Sequence, residues 1–237
     1  MLPPEGRVVM VSGASRGIGR ALVERLHARG YSVSAGARDA RALARALAPL
    51  QGPRLVCARY DAADRTTHTA WLEATLAAFG RLDALVNNAG TSNRFAIEAG
   101  EEADLDALIA ANVKGPLFLT RACLPHLRAS GAGRVVNMAS LSGKRVRNDD
   151  IAYAMTKFAL MALTHGTRRT GWDDGVRATA LCPGFVATDL TAGVTKVARG
   201  DMIDAADLAH LAETVIALPN TASIAELLVN CRLEDTL

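Results

Sequence analysis

The sequence predicts an α/β domain built on a doubly wound parallel sheet of about seven strands, with helices on both faces. Three observations lead to this fold class. Short apolar or β-branched runs alternate with longer segments of helical period, a glycine-rich turn follows the first such run, and most helical segments end at a glycine or before a proline. With 237 residues and 50% apolar composition the chain can form one core, so we expect a single domain over residues 1–237.

The strands are expected at the short apolar runs, and the helices fill the intervals between them. Because parallel strands need crossover connections, the alternation favours right-handed βαβ units. The predicted strands span residues 7–12, 32–37, 54–58, 84–87, 134–138, 177–182 and 226–229. The predicted helices span residues 18–29, 40–48, 64–79, 104–130 with a break or bend near Pro116, 151–170 and 205–218.

Composition argues against several classes of function. The net charge of +3 comes from 27 basic and 24 acidic residues without a block of like charge, so nucleic acid is not an expected partner. The N-terminal segment is too polar for a signal peptide and no apolar run approaches the roughly 18 residues needed to span a bilayer, so we expect a cytoplasmic protein with no membrane partner. The five histidines form no cluster, and no zinc site or disulfide framework is expected from the widely spaced Cys57, Cys123, Cys182 and Cys231.

A glycine-rich turn follows the first predicted strand and leads into the first predicted helix. Gly13 would permit the tight turn, Gly17 would let the backbone approach a pyrophosphate, and Gly19 would allow close packing of the helix. The helix N-terminus presents free N–H groups to an anion. Strand, turn and helix in this order predict a dinucleotide site; a glycine-rich turn that binds no ligand is the alternative.

The charge at the end of the second strand bears on which dinucleotide binds. An NAD site uses a carboxylate on the ribose 2′-OH, whereas an NADP site uses a cation on the 2′-phosphate. Arg38 lies at the strand tip and Arg16 in the glycine turn that should face it, so two guanidinium groups would clamp one phosphate. We therefore expect NADP(H) to be preferred over NAD(H). Asp39 is the counter-evidence, because a shift of one or two residues would place a carboxylate there.

Tyr153 and Lys157 are four residues apart in a predicted helix and so lie on one face of it. Ser140 ends the preceding strand, so its hydroxyl and the phenol can converge above the carboxyl edge of the sheet. A phenol has a reference pKa near ~10 and a nearby ammonium favours the phenolate, so we expect Lys157 to lower the pKa of Tyr153. Ser140 would hydrogen-bond the substrate oxygen, and the three residues predict proton transfer at that oxygen.

Together these motifs resemble those of the classical short-chain dehydrogenase/reductase family, and the resemblance covers nearly the whole chain. It implies a Rossmann-type fold and an oxidoreductase that transfers hydride. The resemblance is carried by the glycine turn, Asp61 after the third strand, Asn87-Asn88-Ala89-Gly90, Asn112, Ser140, Tyr153 with Lys157, and Pro183-Gly184 with Thr188.

The resemblance also implies roles for individual residues. Asp61 would contact the adenine, Asn88 the adenosine side, and Lys157 the nicotinamide ribose. Val186 and Thr188 would contact the carboxamide, and Asn112 would hold a water that links Lys157 to a proton relay. The expected catalytic set is Asn112, Ser140, Tyr153 and Lys157. The expected cofactor-binding set, with no metal ligand, is Gly13, Ser15, Arg16, Gly17, Ile18, Gly19, Arg38, Asp61, Asn88, Tyr153, Lys157, Pro183, Gly184, Val186 and Thr188.

The chain departs from the family pattern in two segments. Its last strand lacks the V-D-G-G-like ending that helps to build family tetramers, so we expect a homodimer through the two long helices, 104–130 and 151–170, with a tetramer as the other state. A short lid at residues 188–204 contains Gly193 and Gly200 and is expected to be mobile and open.

Basic residues lie on the loops that should rim the substrate pocket, namely Arg94, Lys144, Arg145 and Arg147. They would either steer an anionic substrate or form a solvated basic loop, and the adjacent Asp149 and Asp150 favour the second reading.

The expected function is that of an NADP(H)-dependent oxidoreductase that interconverts a carbonyl and a secondary alcohol, with Tyr153 as general acid/base. Its partner would be a small-molecule carbonyl or alcohol substrate. Two alternatives are open at this point. One is a catalytically silent NADP(H)-binding or redox-sensing protein, and the other is an epimerase or dehydratase on the same scaffold.

Overall fold

A computed structural model describes residues 1–233, which form one seven-stranded sheet with all neighbouring strands parallel. The strands are β1 (Val8–Ser12), β2 (Ser32–Ala37), β3 (Leu55–Arg59), β4 (Ala84–Asn87), β5 (Arg134–Met138), β6 (Arg177–Pro183) and β7 (Glu226–Val229). Their order across the sheet is β3-β2-β1-β4-β5-β6-β7. Because the order reverses between β1 and β4, a crevice opens there at the carboxyl ends of the strands, where sheets of this kind bind ligands.

Seven α-helices connect these strands. They are α1 (Gly17–Ala28), α2 (Ala40–Ala46), α3 (Arg65–Phe79), α4 (Glu102–Ile109), α5 (Gly115–Ala129), α6 (Ile151–Gly171) and α7 (Ala205–Ala217). A π-helical turn, Ala110–Lys114, joins α4 to α5. The predicted fold class is confirmed, and the bend predicted near Pro116 is this π-helical turn just before that residue.

The sheet is buried on both faces because alternate residues of its central strands point to opposite sides. In β1, Val9 and Val11 belong to the apolar cluster that includes residues of α1, α2 and α7. Val8 and Met10 belong to the cluster formed with α3 and α5. Two helical layers therefore enclose the sheet and leave its carboxyl edge as the place where polar side chains gather.

Helix ends follow the usual capping chemistry. Asp64 and Asp204 precede α3 and α7, and each side chain accepts a hydrogen bond from a backbone N–H of the first turn. Gly80 ends α3 with a φ of 73°, a left-handed conformation that glycine adopts without steric cost.

The continuous helical segment Glu102–Ala129 is 28 residues long, with a mean hydropathy of 1.2 over its most apolar window. By length and mean hydropathy this helix is apolar enough to cross a bilayer, although charged residues interrupt it and it contains no unbroken apolar run of about 18 residues. However, 39% of that window is buried within the fold, and a core helix has the same length and composition.

Candidate active site

The glycine turn between β1 and α1 is held tightly against the end of β4. Gly13 has a φ of 68°, and a Cβ there would lie 2.8 Å from the Cα of Ala89. A Cβ at Gly19 would collide with the carbonyl oxygen of Gly13. Both positions therefore require glycine, which keeps the turn compact beneath the crevice.

The amide of Asn88 also fixes this turn. Its Nδ2 donates to the carbonyl oxygens of Ser12 and Gly13 at 2.9 and 3.2 Å. In return, Ser12 Oγ accepts from the backbone N–H groups of Asn88 and Ala89, each at 3.0 Å. The structure thus gives Asn88 a positioning role in addition to the adenosine contact that the sequence predicts.

The N-terminus of α1 fits an anionic ligand such as a pyrophosphate. Its cap residue, Arg16, makes no side-chain capping bond, and no acidic residue lies in the first turn. The backbone N–H groups of this turn are thus not satisfied by a capping side chain. Gly17 has a φ of 53°, and a Cβ there would reach 3.2 Å from Thr188 Cγ2, so the turn and the Thr188 segment approach each other at glycine.

Arg38 and Asp39 are the two candidates for the residue that selects between NADP(H) and NAD(H), and their surroundings differ. Arg38 is exposed directly after β2. Asp39 caps α2, with Oδ1 accepting from the backbone N–H groups of Arg41 and Ala42 at 2.9 Å each. These bonds, that of Ala42 foremost, hold the pKa of Asp39 below its ordinary value. The carboxylate is thus already used in the helix cap.

Arg16 has a carboxylate partner that no local sequence pattern reveals. Its Nη1 forms an ion pair with Asp189 Oδ2 at 2.8 Å, and both side chains are exposed. Asp189 follows Thr188, so this pair joins the glycine turn to the segment after β6.

Asp61 lies after β3 and is partly exposed. Its Oδ1 accepts from the backbone N–H of Ala63 at 3.1 Å, and its own backbone N–H donates to Thr67 Oγ1 at 2.9 Å. The loop is thereby ordered, with one carboxylate at the edge where the adenine contact is expected.

Ser140, Tyr153 and Lys157 come together at the carboxyl end of β5. Ser140 and the Tyr153 hydroxyl are hydrogen-bonded to each other, and Ser140 Oγ also accepts from the backbone N–H of Ser142 at 3.1 Å. Lys157 is buried, and its Nζ donates to the carbonyl oxygen of Met138 at 2.8 Å. The same Nζ lies 5.5 Å from the centroid of the Tyr153 ring.

Burial dominates the protonation of the two titratable groups. It raises the pKa of Tyr153 to about 12, an effect that the Ser140 hydrogen bond opposes and the charge of Asp150 increases. Burial likewise lowers the pKa of Lys157 to about 8. The expected net lowering of the phenol pKa is therefore not found in this structure, where burial is the largest cause of the shift and the Lys157 ammonium lies 5.5 Å from the ring centroid. Tyr153 is protonated at neutral pH.

Asn112 lies in the π-helical turn and is buried. Its Nδ2 donates to the carbonyl oxygen of Thr91 at 2.8 Å and to Thr156 Oγ1 at 3.1 Å, while its Oδ1 accepts from the Thr91 backbone N–H at 2.9 Å. The π-helical turn thus orients the Asn112 amide so that it bonds both the loop after β4 and α6. Such turns are frequent at functional sites. Asn112 thus ties two segments of the site together.

The segment after β6 lies over the glycine turn. Gly184 donates its backbone N–H to Val229 O at 2.9 Å, and Val186 forms an isolated bridge with Ile203. Thr188 then caps a short helical turn, Asp189–Thr191. The predicted lid contains this turn and a second one, Arg199–Asp201, neither of which the sequence predicts.

Comparison with known proteins identifies the family. A family model described as short chain dehydrogenase matches residues 7–198. The chain belongs to the short-chain dehydrogenases. The match contains the glycine turn and all four residues of the expected catalytic set.

Relatives and solved structures agree with this family. An agropine synthesis reductase of Rhizobium rhizogenes is 43% identical over 229 residues, which are 96% of this chain and 53% of the relative. The chain thus spans about half the length of this relative and of a second agropine synthesis reductase of the same organism. A 3-ketoacyl-(acyl-carrier-protein) reductase from Brucella melitensis, complexed with NADH, superimposes with a TM-score of 0.88 at 26% identity, covering 96% of this chain and 98% of that one. An alcohol dehydrogenase from Thermococcus sibiricus, complexed with 5-hydroxy-NADP, gives 0.86 at 25% identity, covering 94% and 95%.

The rim of this short-chain dehydrogenase contains fewer free cations than its sequence suggests. Lys144 Nζ donates to Glu226 Oε2 at 2.6 Å, and His165 shares the other carboxylate oxygen at 2.9 Å. Together they lower the pKa of Glu226. For Lys144, this contact favours a structural role over contact with an anionic substrate.

One acidic residue of the dehydrogenase site escaped the sequence interpretation. Asp150 directly precedes α6, and its charge raises the pKa of the Tyr153 phenol. The position of Asp150 three residues before Tyr153 was visible in the sequence, but its burial was not. Among the described residues, no group of three or more His, Cys, Asp or Glu side chains could hold a metal ion.

Proposed function

We propose that this chain is an NADP(H)-dependent oxidoreductase that interconverts a carbonyl compound and a secondary alcohol. The observation that carries the proposal is the Tyr153 phenol, which is hydrogen-bonded to Ser140 and lies on one helix face with the buried Lys157. A phenol with a pKa of about 12 is a proton donor at neutral pH. This protonation state favours reduction of the carbonyl.

The residues present fit a nicotinamide dinucleotide. Gly13 and Gly19 keep the turn compact, and the first turn of α1 has no acidic residue to repel a pyrophosphate. A bound nicotinamide would supply or accept the hydride. Ser140 would hold the substrate oxygen, Tyr153 would give it a proton, and Lys157 would bind the nicotinamide ribose.

We propose that the cofactor is NADP(H) rather than NAD(H). The support is the exposed guanidinium of Arg38 after β2 together with the use of Asp39 in the cap of α2. Arg16 would join Arg38 on the 2′-phosphate by leaving Asp189. The named ligands of the two solved relatives, NADH and 5-hydroxy-NADP, do not favour one cofactor for this chain.

We further propose a homodimer formed through α5 and α6. Three large apolar side chains on these helices are exposed, namely Leu117 at 43%, Met155 at 56% and Phe158 at 43%. Leu117 also lines an apolar groove with Val113 and Leu163. Covering such a patch with a second copy would remove apolar surface from water. A cytoplasmic location is also part of the proposal and is supported by the four free cysteines.

The experiment that tests the proposed function is a carbonyl screen. Purified protein is supplied with NADPH and a panel of ketones and aldehydes, and oxidation of the reduced nicotinamide is followed by its absorbance. Reduction of at least one class supports the proposal. Binding of NADPH without turnover of any carbonyl or alcohol would support the silent binding protein, and conversion of substrate without net change in absorbance would support an epimerase or dehydratase.

A further inference from the structure

Asp150 places a carboxylate beside the proton donor of the site. It directly precedes the first turn of α6, three residues before Tyr153, and its charge raises the pKa of the phenol. Ser92 Oγ lies 3.4 Å from Asp150 Oδ2. This distance is at the long end for a hydrogen bond between oxygens, so the contact is weak.

The other carboxylate oxygen is unsatisfied. Asp150 Oδ1 is shut off from solvent and has no hydrogen-bond partner among the described residues. Burial raises the pKa of Asp150, whereas hydrogen bonds with the backbone of Phe95 and Tyr153, the hydrogen bond of Ser92 and the charge of Arg94 act in the opposite direction.

The surroundings of Asp150 belong to the substrate side of the site. Ser92 and Phe95 lie on the loop after β4, and the backbone N–H of Ile151 donates to Phe95 O at 3.0 Å. This contact pins the loop against the start of α6. The same loop is held from behind by Asn112 through Thr91. The carboxylate therefore lies between two segments that end at the catalytic edge of the sheet.

A buried carboxylate oxygen without a hydrogen-bond donor destabilises the folded chain, and such atoms in native proteins call for an explanation. A ligand that brings both a positive charge and N–H donors would satisfy it most completely. A neutral hydroxyl would supply a donor but leave the charge uncompensated.

We propose that Asp150 binds a protonated amino group that the substrate carries close to its carbonyl carbon, so that the preferred substrates are aminoketones and the corresponding amino alcohols. The inference rests on the proposed carbonyl reduction and names its substrate class. An ammonium seated on Asp150 cancels the charge that opposes ionisation of Tyr153. The phenol therefore becomes a stronger proton donor only when such a substrate is bound.

The test compares three small ketones of similar size with NADPH at a pH of about 6.5, where an α-amino group is protonated. Aminoacetone carries a charged donor, hydroxyacetone a neutral donor, and butanone neither. The readout is the ratio of kcat/KM for aminoacetone to kcat/KM for hydroxyacetone, measured for wild type, Asp150→Asn, Asp150→Glu and Asp149→Asn. NADPH affinity of each variant checks that the site is folded.

The wild type is expected to prefer aminoacetone, and Asp150→Asn to lower the ratio by at least about tenfold, the range of a charged hydrogen bond. Asp150→Glu keeps the charge and should retain part of the preference. Asp149→Asn removes the same charge from the exposed neighbouring residue and should leave the ratio unchanged.

Three results would overturn the inference while leaving the proposed function intact. First, the wild type could reduce the neutral ketones without preferring aminoacetone. Second, Asp150→Asn could leave the ratio of kcat/KM values unchanged. Third, Asp150→Asn could lower kcat/KM equally for all three ketones, which would mean that Asp150 acts on Tyr153 alone. Failure of the wild type to reduce any ketone would instead contradict the proposed function and, with it, the inference. If Asp150→Asn does not bind NADPH, the inference is tested by the two remaining proteins. It is then contradicted if the wild type does not prefer aminoacetone over hydroxyacetone, or if Asp150→Glu, which keeps the charge, retains none of that preference.

Discussion

Lys157 donates a hydrogen bond from its Nζ to the main-chain carbonyl oxygen of Met138 at 2.8 Å. This bond links the middle of α6 to the carboxyl end of β5. Burial of the ammonium lowers its pKa to about 8, and no carboxylate within residues 1–233 pairs with it to offset this cost. Lys157 is thus held for function at a cost to the stability of the folded chain.

Substitution of Lys157 by Met should stabilise the protein at neutral pH while abolishing turnover. The pKa of Lys157 falls from its ordinary value of 10.5 to about 8 on folding, so between these pH values the unfolded chain binds more protons. Stability of the wild type therefore rises with pH across this window. The advantage of Lys157→Met, up to about 3 kcal/mol below pH 8, should shrink as pH approaches 10.5.

Urea unfolding at pH 7 and at about pH 10 measures this difference. Lys196→Met provides the matched control, since Lys196 is exposed and its replacement should give no pH-dependent difference. An advantage of Lys157→Met that is the same at both pH values would contradict the assigned burial cost.

Cofactor selectivity should depend on Arg38 and not on Asp39. Arg38→Asp is expected to weaken NADPH binding by at least about tenfold and to erase the preference over NADH, because a charged hydrogen bond to the 2′-phosphate is lost. Asp39→Ala should lower the free energy of unfolding through loss of the α2 cap, without changing the ratio of NADPH to NADH affinity. Fluorescence titration of the reduced nicotinamide measures both affinities. A selective loss of NADH binding in Asp39→Ala would make Asp39 the selector.

Release of Arg16 from its ion pair should favour NADPH. Because the Arg16–Asp189 pair is exposed, its contribution is at most about 1 kcal/mol, and Asp189→Asn should tighten NADPH binding by up to about fivefold. NADH affinity should not change, since NADH lacks the 2′-phosphate. Asp201→Asn removes another exposed lid carboxylate and should have no effect. Weaker NADPH binding by Asp189→Asn would show that the ion pair supports the site rather than competing with it.

The proposed dimer predicts a change of oligomeric state when its apolar patch is disrupted. Phe158→Arg should shift the protein from dimer to monomer, because a charge placed in the α5–α6 contact would be desolvated without a partner. Sedimentation velocity measures the distribution of species. Ile97→Arg changes an exposed apolar residue on a different segment and should remain dimeric. A wild type that sediments as a monomer would refute the dimer directly.

Much of the fold could be predicted because its signals are local. Strands β2, β4, β5 and β7 have the predicted bounds, since each is a short apolar run with sharp ends. The cap formed by Asp39 was also readable, as an Asp directly before a helix is an N-cap signature.

The remaining features depend on residues that are distant in sequence or on burial. Arg16 and Asp189 are separated by 173 positions, so no local pattern predicts their ion pair. The pKa values of Tyr153 and Lys157 are set by how deeply tertiary packing buries them, which spacing along a helix does not reveal. The π-helical turn that orients Asn112 likewise has no sequence signal as simple as the nearby Pro116.

The most direct test of the account is the effect of Tyr153→Phe on turnover and on cofactor binding, measured on one preparation with a carbonyl that the wild type reduces. Removal of the proton-donating hydroxyl should lower kcat by about 10²–10⁴-fold, the usual contribution of general acid catalysis, while NADPH affinity changes by less than about threefold. That split would support Tyr153 as the proton donor. Retention of more than about a tenth of the wild-type kcat, with NADPH still bound, would contradict it.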